Sequence, residues 1–186
     1  MIGYAFCGSF CTLKRSSEVF EHMVQSGMDI LPIVSENVFK TDTRFGRADE
    51  FYEKLAKVSG RTPIHSIVDA EPLGPKIRLD ALIISPCTGN TLSKMAAGIT
   101  DTAVTMAAKA HLRADRKLII ALASNDAMSS NLKNIATMLM RKQVYFVPMI
   151  QDDPTSKPHS LVADFSLLEE TLADALADKQ KRKLFL

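Results

Sequence analysis

The chain has 186 residues, of which 46% are hydrophobic and 24% are charged, and this ordinary globular composition over residues 1–186 predicts one domain with a buried core. Its formal net charge of +2 gives no general reason to expect nucleic acid as a partner. No apolar run approaches the about 18 residues of a membrane span, and Met1 to Phe6 lacks the basic start of a signal peptide, so we expect a cytoplasmic protein.

In the first half of the chain, continuous apolar runs alternate with stretches whose apolar residues recur at helical spacing. Pro32 is unusual inside such a run, because proline cannot donate a hydrogen bond to a neighbouring strand. The prolines and the glycine between Asp69 and Lys76 predict a loop. The expected elements are strands at 3–7, 29–34, 64–68 and 79–84, with helices at 13–27 and 48–58.

The same alternation continues in the second half. The polar turn Ser85 to Thr91 follows the fourth strand, and Asp101 is placed to cap a later helix. Residues 151–160 are polar and contain proline, which is typical of a flexible loop. The further expected elements are strands at 117–122 and 144–147 and helices at 92–97, 101–112, 132–140 and, at the C-terminus, 167–176.

Apolar strands that alternate with helices favour a parallel sheet covered by helices on both faces. We therefore predict a doubly wound, Rossmann-like α/β fold, a three-layer sandwich in which ligands bind at the carboxyl ends of the strands. Small polar residues occur in any turn, but here they follow four predicted strands, which indicates one shared crevice. These residues are Gly8-Ser9, Ser35-Glu36-Asn37, Ser85 to Thr91 and Ser124-Asn125.

The usual nucleotide-binding signatures do not occur. The sequence contains neither a Gly-x-Gly-x-x-Gly run nor a Gly-x-x-x-x-Gly-Lys-Ser/Thr loop, so a conventional dinucleotide or ATP site is disfavoured. A single phosphate group needs only a few backbone N–H groups and hydroxyls at helix starts. The residues suited to supply them are Ser9, Thr88, Asn90 and Thr91. Such a set of groups is typical of a site for a mononucleotide such as FMN.

Titratable side chains give fewer candidates. His65 is predicted near the carboxyl edge of the sheet and His159 in the loop, so each is a candidate donor or proton shuttle. Glu71 and Lys76 have similar standing, with exposed surface charge as the alternative. An odd number of cysteines without a repeated Cys-x-x-Cys favours reduced thiols and predicts no metal site. The cysteines are Cys7, Cys11 and Cys87.

Two segments that contain asparagine resemble motifs of the flavin-dependent cysteine decarboxylases, a family of flavoproteins. Ser85 to Thr91 is similar to that family's Pro-Ala-Ser-Ala-Asn-Thr motif, and Leu122 to Met128 is similar to its Pro-Ala-Met-Asn-x-x-Met motif. Gly98 to Asp101 matches the Gly-Ile-x-Asp that follows the first motif. The resemblance covers about residues 1–150 and implies a flavoprotein-like fold with both asparagines at a flavin.

Within that group, two further segments resemble the B subunits of dipicolinate synthases. They are Ala-Glu-Pro-Leu-Gly-Pro-Lys at 70–76 and Phe-Val-Pro-Met-Ile-Gln-Asp-Asp-Pro at 146–154. This resemblance implies an oxidoreductase subunit that acts with a separate A subunit to oxidise dihydrodipicolinate, a small dicarboxylate, in the mother cell of a sporulating bacterium. It also implies FMN as the cofactor, NADP on the A subunit, and a homo-oligomer of three chains or a multiple of three.

The strand-end turns and the resemblance together suggest roles for individual residues. The catalytic candidates, which would face the substrate or the flavin ring, are His65, Lys76 and Asn125. The residues expected to hold the phosphate, ribityl and ring groups of the cofactor are Gly8, Ser9, Ser35, Pro86, Thr88, Asn90, Thr91, Ser124 and Asn125.

The chain also departs from the decarboxylase motifs. Gly89 replaces the alanine of the first motif, and Leu122 and Ser124 replace the proline and the methionine of the second. Ser129 replaces a tryptophan that often follows. These changes argue against decarboxylation of a cysteine substrate. Three hypotheses stay open: a B subunit of a dipicolinate synthase, a stand-alone FMN-dependent decarboxylase, and a non-catalytic scaffold for the A subunit.

Overall fold

The computed structural model describes residues 1–181 and 183–186, along which strands and helices alternate. The strands are β1 (Ile2–Phe6), β2 (Ile30–Val34), β3 (Ala81–Thr88), β4 (Lys117–Ser124), β5 (Val144–Phe146), β6 (Met149–Ile150) and β7 (Leu161–Ala163). The helices are α1 (Phe10–Gln25), α2 (Glu36–Lys40), α3 (Ala48–Ser59), α4 (Ile67–Ala70), α5 (Gly89–Ala97), α6 (Ala103–Leu112), α7 (Leu132–Leu139) and α8 (Leu168–Leu176).

The described strands form one sheet in the order β2-β1-β3-β4-β7-β6, and β5 pairs with the first part of β4. The pairs from β2 to β5 are parallel, whereas β7 runs antiparallel to both β4 and β6. Neither β6 nor β7 was predicted from the sequence. Each has only two or three residues, and this is too short for an apolar pattern to stand out beside a polar loop.

Helices cover both faces of the sheet, because alternate side chains of each central strand point in opposite directions. Tyr4 and Phe6 belong to an apolar cluster with side chains of α1, α3 and α8. Ala5 and Cys7, on the other face, belong to a cluster with side chains of α5, α6 and α7. This arrangement confirms the predicted three-layer α/β sandwich with a mainly parallel sheet.

The position of β2 at the edge of the sheet explains why Pro32 is tolerated there and why the strand predicted at 64–68 does not form. Val34 N–H donates to the Ile64 carbonyl at 2.8 Å, and Pro32 lies two residues earlier on the same open side, where its missing N–H leaves the pairing with β1 intact. The strand predicted at 64–68 is reduced to this one bridge at Ile64. The Ser66 hydroxyl accepts the Asp69 N–H at 3.1 Å and caps α4, so helix capping overrides the apolar run.

β3 does not end at Ile84 as predicted but continues to Thr88, with a register shift at the cis peptide bond Ser85–Pro86. The Ser85 carbonyl accepts the Ser16 hydroxyl of α1 at 2.6 Å, and the Pro86 carbonyl accepts the Cys7 N–H at 3.1 Å. These bonds satisfy backbone groups where the regular ladder is interrupted, so the strand continues past the proline. The expected polar turn at 85–91 is therefore mostly strand.

Two further boundaries differ from the predictions. β4 extends beyond the expected end at Leu122, because its last two residues pair with β7. Asp101 does not cap α6 but forms an ion pair with Lys94 at 2.8 Å. The cap is Thr102, which forms a reciprocal capping box with Thr105, so the helix start is shifted by a residue.

Candidate functional site

A cleft of about 990 Å³ lies at the carboxyl edge of the parallel strands. The ends of β1, β3 and β4 form its floor, and residues of the 151–160 segment form one wall. Parallel strands present their carboxyl ends on one edge of the sheet, so residues far apart in sequence meet here. Of the predicted site residues, those that line the cleft are Gly8, Ser9, Thr88, Asn90, Ser124, Asn125 and His159.

The start of α1 forms one corner of the cleft. Ser9 precedes the helix, and its hydroxyl accepts the Thr12 hydroxyl at 2.9 Å. The first turn of α1 carries no acidic residue, so the partial positive charge of its N–H groups is not offset locally. This corner can therefore bind an anionic group through N–H groups and hydroxyls.

The start of α5 forms the neighbouring corner. The Thr88 hydroxyl accepts the Thr91 N–H at 3.2 Å and donates to the Thr91 hydroxyl at 3.0 Å, which caps the helix. The buried Thr91 hydroxyl donates in turn to Cys7 Sγ at 3.3 Å, so Thr91 supports the cap from below the cleft. Asn90 is exposed and lines the cleft, and the first turn again has no acidic residue.

A polar network connects α5 to the end of β4. Asp126 accepts the Ser124 hydroxyl at 2.5 Å and the Asn131 amide at 2.8 Å. The hydrogen bond from Ser124 is the main reason that the pKa of Asp126 lies below its usual value, so this carboxylate is ionised at neutral pH. Asn131 is only 4% exposed, and its amide oxygen accepts the Ser93 hydroxyl of α5 at 2.8 Å.

This network was not predicted as a unit from the sequence, although Ser124 was a candidate. The sequence signal that could have indicated it is that Gly89 and Ser124 both depart from the decarboxylase motifs. A Cβ atom on Gly89 would lie 2.4 Å from the Ser124 hydroxyl, so a glycine is needed where the network packs against α5.

Several predicted residues do not line the cleft. Ser35 caps α2 by accepting the Val38 N–H at 3.4 Å. Pro86 and Thr91 lie beneath the cleft floor, where their contacts hold Cys7 and Thr88. Ser35, Pro86 and Thr91 therefore shape the elements around the cleft, and their contact with a cofactor remains a prediction.

His65 and Lys76 lie elsewhere in the fold. The His65 ring stacks on Phe39 with 4.0 Å between centroids and meets Tyr52 edge-on. Lys76 is exposed in the turn after α4, and Glu71 is exposed at the end of that helix. These residues are not among those that line the cleft, so their catalytic roles remain predictions.

The 151–160 segment contributes more to the cleft than the sequence indicated. Asp152, Ser156, Lys157, Pro158 and Ser160 line it together with His159. The Met128 N–H donates to the His159 carbonyl at 2.9 Å, which ties the segment to the turn after β4. This placement follows from the antiparallel pairing of β7 with β4, which no local pattern in the sequence predicts.

A second cavity of about 370 Å³ lies between α1 and α3. Three cationic side chains line it, and each lies beside a carboxylate. The pairs are Lys14–Glu18 at 4.0 Å, Arg47–Asp49 at 2.6 Å and Lys54–Glu21 at 2.6 Å. The larger cleft is distinguished by the starts of α1 and α5, which carry no acidic residue, and by the amides of Asn90 and Asn125, so we take it as the candidate site.

Other classes of site find no support within the described ranges 1–181 and 183–186. No three His, Cys, Asp or Glu side chains lie together in a way that would hold a metal ion. No helix in these ranges has the length and apolar character needed to span a bilayer. Burial raises the pKa of the Cys7 thiol to about 11, so Cys7 is a protonated core side chain at neutral pH.

The cleft fits a mononucleotide flavin. Two adjacent helix N-termini without acidic residues suit one phosphate group, and the hydroxyls of Ser9 and Thr88 lie beside them. Asn90 and Asn125 supply exposed amides, which can both donate and accept hydrogen bonds. The volume of about 990 Å³ leaves room for a second small molecule.

Comparison with known proteins identifies the family of the chain. A sequence model of the family described as Flavoprotein matches residues 2–167. The B subunit of dipicolinate synthase from Bacillus subtilis (strain 168) is 40% identical over 185 residues, which cover 100% of this chain and 92% of that protein. The crystal structure of the corresponding B subunit from Bacillus halodurans has a TM-score of 0.90 at 38% identity, over 100% of this chain and 95% of that chain.

The structure of SpaF, described as an FMN-dependent cysteine decarboxylase, has a TM-score of 0.65 at 22% identity, over 94% of this chain and 95% of that chain. This likeness shows the common fold. The predicted resemblances to the B subunits of dipicolinate synthases and to the flavoprotein group are thus confirmed. The chain belongs to the flavoprotein family.

Proposed function

We propose that this chain is the B subunit of a dipicolinate synthase, which acts with a separate A subunit to oxidise dihydrodipicolinate to dipicolinate. The observation that carries the proposal is the cleft, which Asn90 and Asn125 both line beside two helix N-termini. The similarity to the B subunits of dipicolinate synthases over the whole chain directs the choice of substrate and partner.

FMN is the proposed cofactor of the cleft. The N–H groups at the starts of α1 and α5, with Ser9, Thr88 and Asn90, would hold its phosphate and ribityl groups, and Asn125 would face its ring. The chemistry that FMN supplies when bound is the acceptance of electrons from the dihydropyridine ring. A titration of the purified protein with FMN should shift the flavin absorption spectrum, and neither a shift nor retained flavin after gel filtration would reject this part.

The oxidation removes two electrons and two protons from the substrate ring and makes it aromatic. The two electrons and one proton leave as a hydride equivalent, and the proposed final acceptor is NADP⁺ on the A subunit. The second proton goes to a base. Aromatisation favours the reaction, so the protein must mainly position the substrate and receive the proton. We assign the base to His159, the histidine that lines the cleft in the described chain.

The test of the proposed function is reconstitution from separately purified proteins. Dihydrodipicolinate oxidation is measured with the A subunit alone, with this chain alone and with the mixture, each with and without added FMN. The proposal predicts full activity only in the mixture with FMN. An A subunit that oxidises the substrate at the same rate without this chain would overturn the proposal.

We also propose that the chain forms a homo-oligomer of three copies or a multiple of three and works in the mother cell during sporulation. Light scattering coupled to gel filtration measures the first point, and a mass of one chain would reject it. Imaging of a fluorescent fusion in sporulating cells tests the second.

A further inference from the structure

We infer that Lys157 binds a carboxylate of the substrate and so selects a dicarboxylate over a monocarboxylate. This inference rests on the proposed function, since it names the group that recognises the substrate of the same cleft. Four observations support it: the charge of the cleft, the order of the strands that line it, the contacts of Lys157, and the bonds that hold its segment.

The first observation is the charge of the cleft. Of the described residues that line it, Lys157 is the one lysine or arginine, and the two carboxylates are Asp126 and Asp152. Asp126 stays ionised and accepts the bonds from Ser124 and Asn131 through Oδ1, and Asp152 pairs with Lys157. A doubly charged anion therefore finds one permanent side-chain cation in this cleft, and that cation is Lys157.

The second observation is the order of strands along the cleft edge, which runs β1, β3, β4 and β7. The helix N-termini that suit a phosphate follow β1 and β3, whereas Lys157 precedes β7, at the other end of this row. β7 pairs with the end of β4 through Ser124 and Leu161, so the chain that leads into β7 passes beside Asn125. Lys157 is thus placed for a second molecule next to Asn125 rather than for the phosphate.

The third observation is the set of contacts that Lys157 makes. Its Nζ lies 3.3 Å from Asp152, and its side chain is 54% exposed. Hydrogen bonds from Ser160 and then from Lys157 lower the pKa of the Asp152 carboxyl, so Asp152 is ionised at neutral pH. An exposed ion pair of this kind is weak, so Lys157 can exchange Asp152 for a substrate carboxylate as its partner.

The fourth observation is that the segment around Lys157 is held in place. The Lys157 N–H donates to the Asp153 carbonyl at 2.8 Å, and the Ser160 N–H donates to the Lys157 carbonyl at 3.0 Å. The Gln151 amide donates to the Pro158 carbonyl at 2.8 Å. These bonds orient the backbone of the segment before a ligand arrives, which lowers the entropy lost on binding.

The experiment uses this chain mixed with the A subunit and FMN, and measures binding of dipicolinate and of picolinate, which has one carboxylate, by calorimetry. The variants are Lys157→Gln, Lys157→Arg and, as a matched loss of charge near the opposite edge of the sheet, Lys142→Gln. FMN affinity is measured for each variant, and so is the apparent KM for dihydrodipicolinate.

We expect Lys157→Gln to weaken dipicolinate binding by about tenfold or more, the usual effect of losing one charge-assisted hydrogen bond. Its preference for dipicolinate over picolinate should fall, while FMN affinity stays the same. Lys157→Arg should retain most of the affinity, and Lys142→Gln all of it.

Two results overturn the inference alone. In the first, the Lys157→Gln complex binds dipicolinate as well as the wild-type complex does. In the second, Lys157→Gln weakens FMN binding and leaves dipicolinate binding unchanged. A wild-type complex that neither binds dipicolinate nor oxidises the dihydro form overturns the proposed function, and the role of Lys157 with it.

Discussion

A Cβ atom on Gly89 would lie 2.4 Å from the Ser124 hydroxyl and 2.6 Å from the Asn131 amide nitrogen. Both polar groups are held by Asp126. Gly89 and Ser124 are also positions at which the chain departs from the decarboxylase motifs, where alanine and methionine stand. The two departures therefore belong together, because glycine leaves room for the polar network that Ser124 begins.

Replacement of Gly89 by alanine should lower the free energy of unfolding by about 1–3 kcal/mol, the usual cost of forcing an extra methyl group into a packed site. Urea denaturation measures the loss. The double variant Gly89→Ala/Ser124→Ala should lose less than the sum of the two single variants, since the nearest clash is removed. The control is Gly8→Ala, at a cleft glycine whose Cβ would meet nothing nearer than 3.4 Å. Equal stability of the Gly89→Ala variant and the wild type would contradict the coupling.

Replacement of Thr88 by valine removes the hydroxyl that caps α5. We expect about 1 kcal/mol of lost stability and about tenfold weaker FMN binding, because the first turn of α5 would lose its order where it faces the cleft. Thr102→Val removes the cap of α6, away from the cleft, and should cost similar stability without changing FMN affinity. If both variants change FMN affinity equally, α5 is not the phosphate site.

Replacement of Ser16 by alanine tests the buried contact between α1 and β3. The Ser16 hydroxyl donates to the Ser85 carbonyl at 2.6 Å, and its loss should cost about 1–3 kcal/mol, because the carbonyl is left without this donor in the core. Ser17→Ala is the control, since Ser17 is also buried but bonds to a carbonyl of its own helix. If Ser17→Ala lowers stability as much as Ser16→Ala, the bond between Ser16 and the Ser85 carbonyl contributes no more than a bond within one helix.

His111 should make stability depend on pH below neutrality. Burial lowers the pKa of His111 from 6.5 to about 4, and its Nε2 donates to the Lys117 carbonyl at 2.8 Å. The unfolded chain binds the proton first, so stability is full above pH 6.5 and declines as pH falls towards 4, by about 3 kcal/mol in all. Urea denaturation from pH 7.5 to 5 measures the slope. The slope should flatten in His111→Gln, and an unchanged slope would contradict the assignment.

The sequence predicted the layers and most of the strands, because buried parallel strands are continuous apolar runs. It also predicted that Asn90 and Asn125 lie at one crevice, since both follow parallel strands, and both line the cleft. It did not predict the place of Lys157. That place depends on the pairing of β7 with β4, a contact between distant segments that leaves no periodic signal. The continuation of β3 past Pro86 was missed for a similar reason, because the hydroxyl that satisfies Ser85 comes from another element.

The most direct test of a working cleft, as opposed to a scaffold that only assembles the A subunit, uses the double variant Asn90→Ala/Asn125→Ala. Both side chains are exposed, so the fold should persist, and the variant should still co-purify with the A subunit. The measurement is the rate of dihydrodipicolinate oxidation by the mixed proteins with FMN. We predict a loss of about a hundredfold or more, as expected when two polar contacts to the reacting molecules are removed. A rate equal to that of the wild-type mixture would contradict a catalytic cleft and leave the chain as a scaffold.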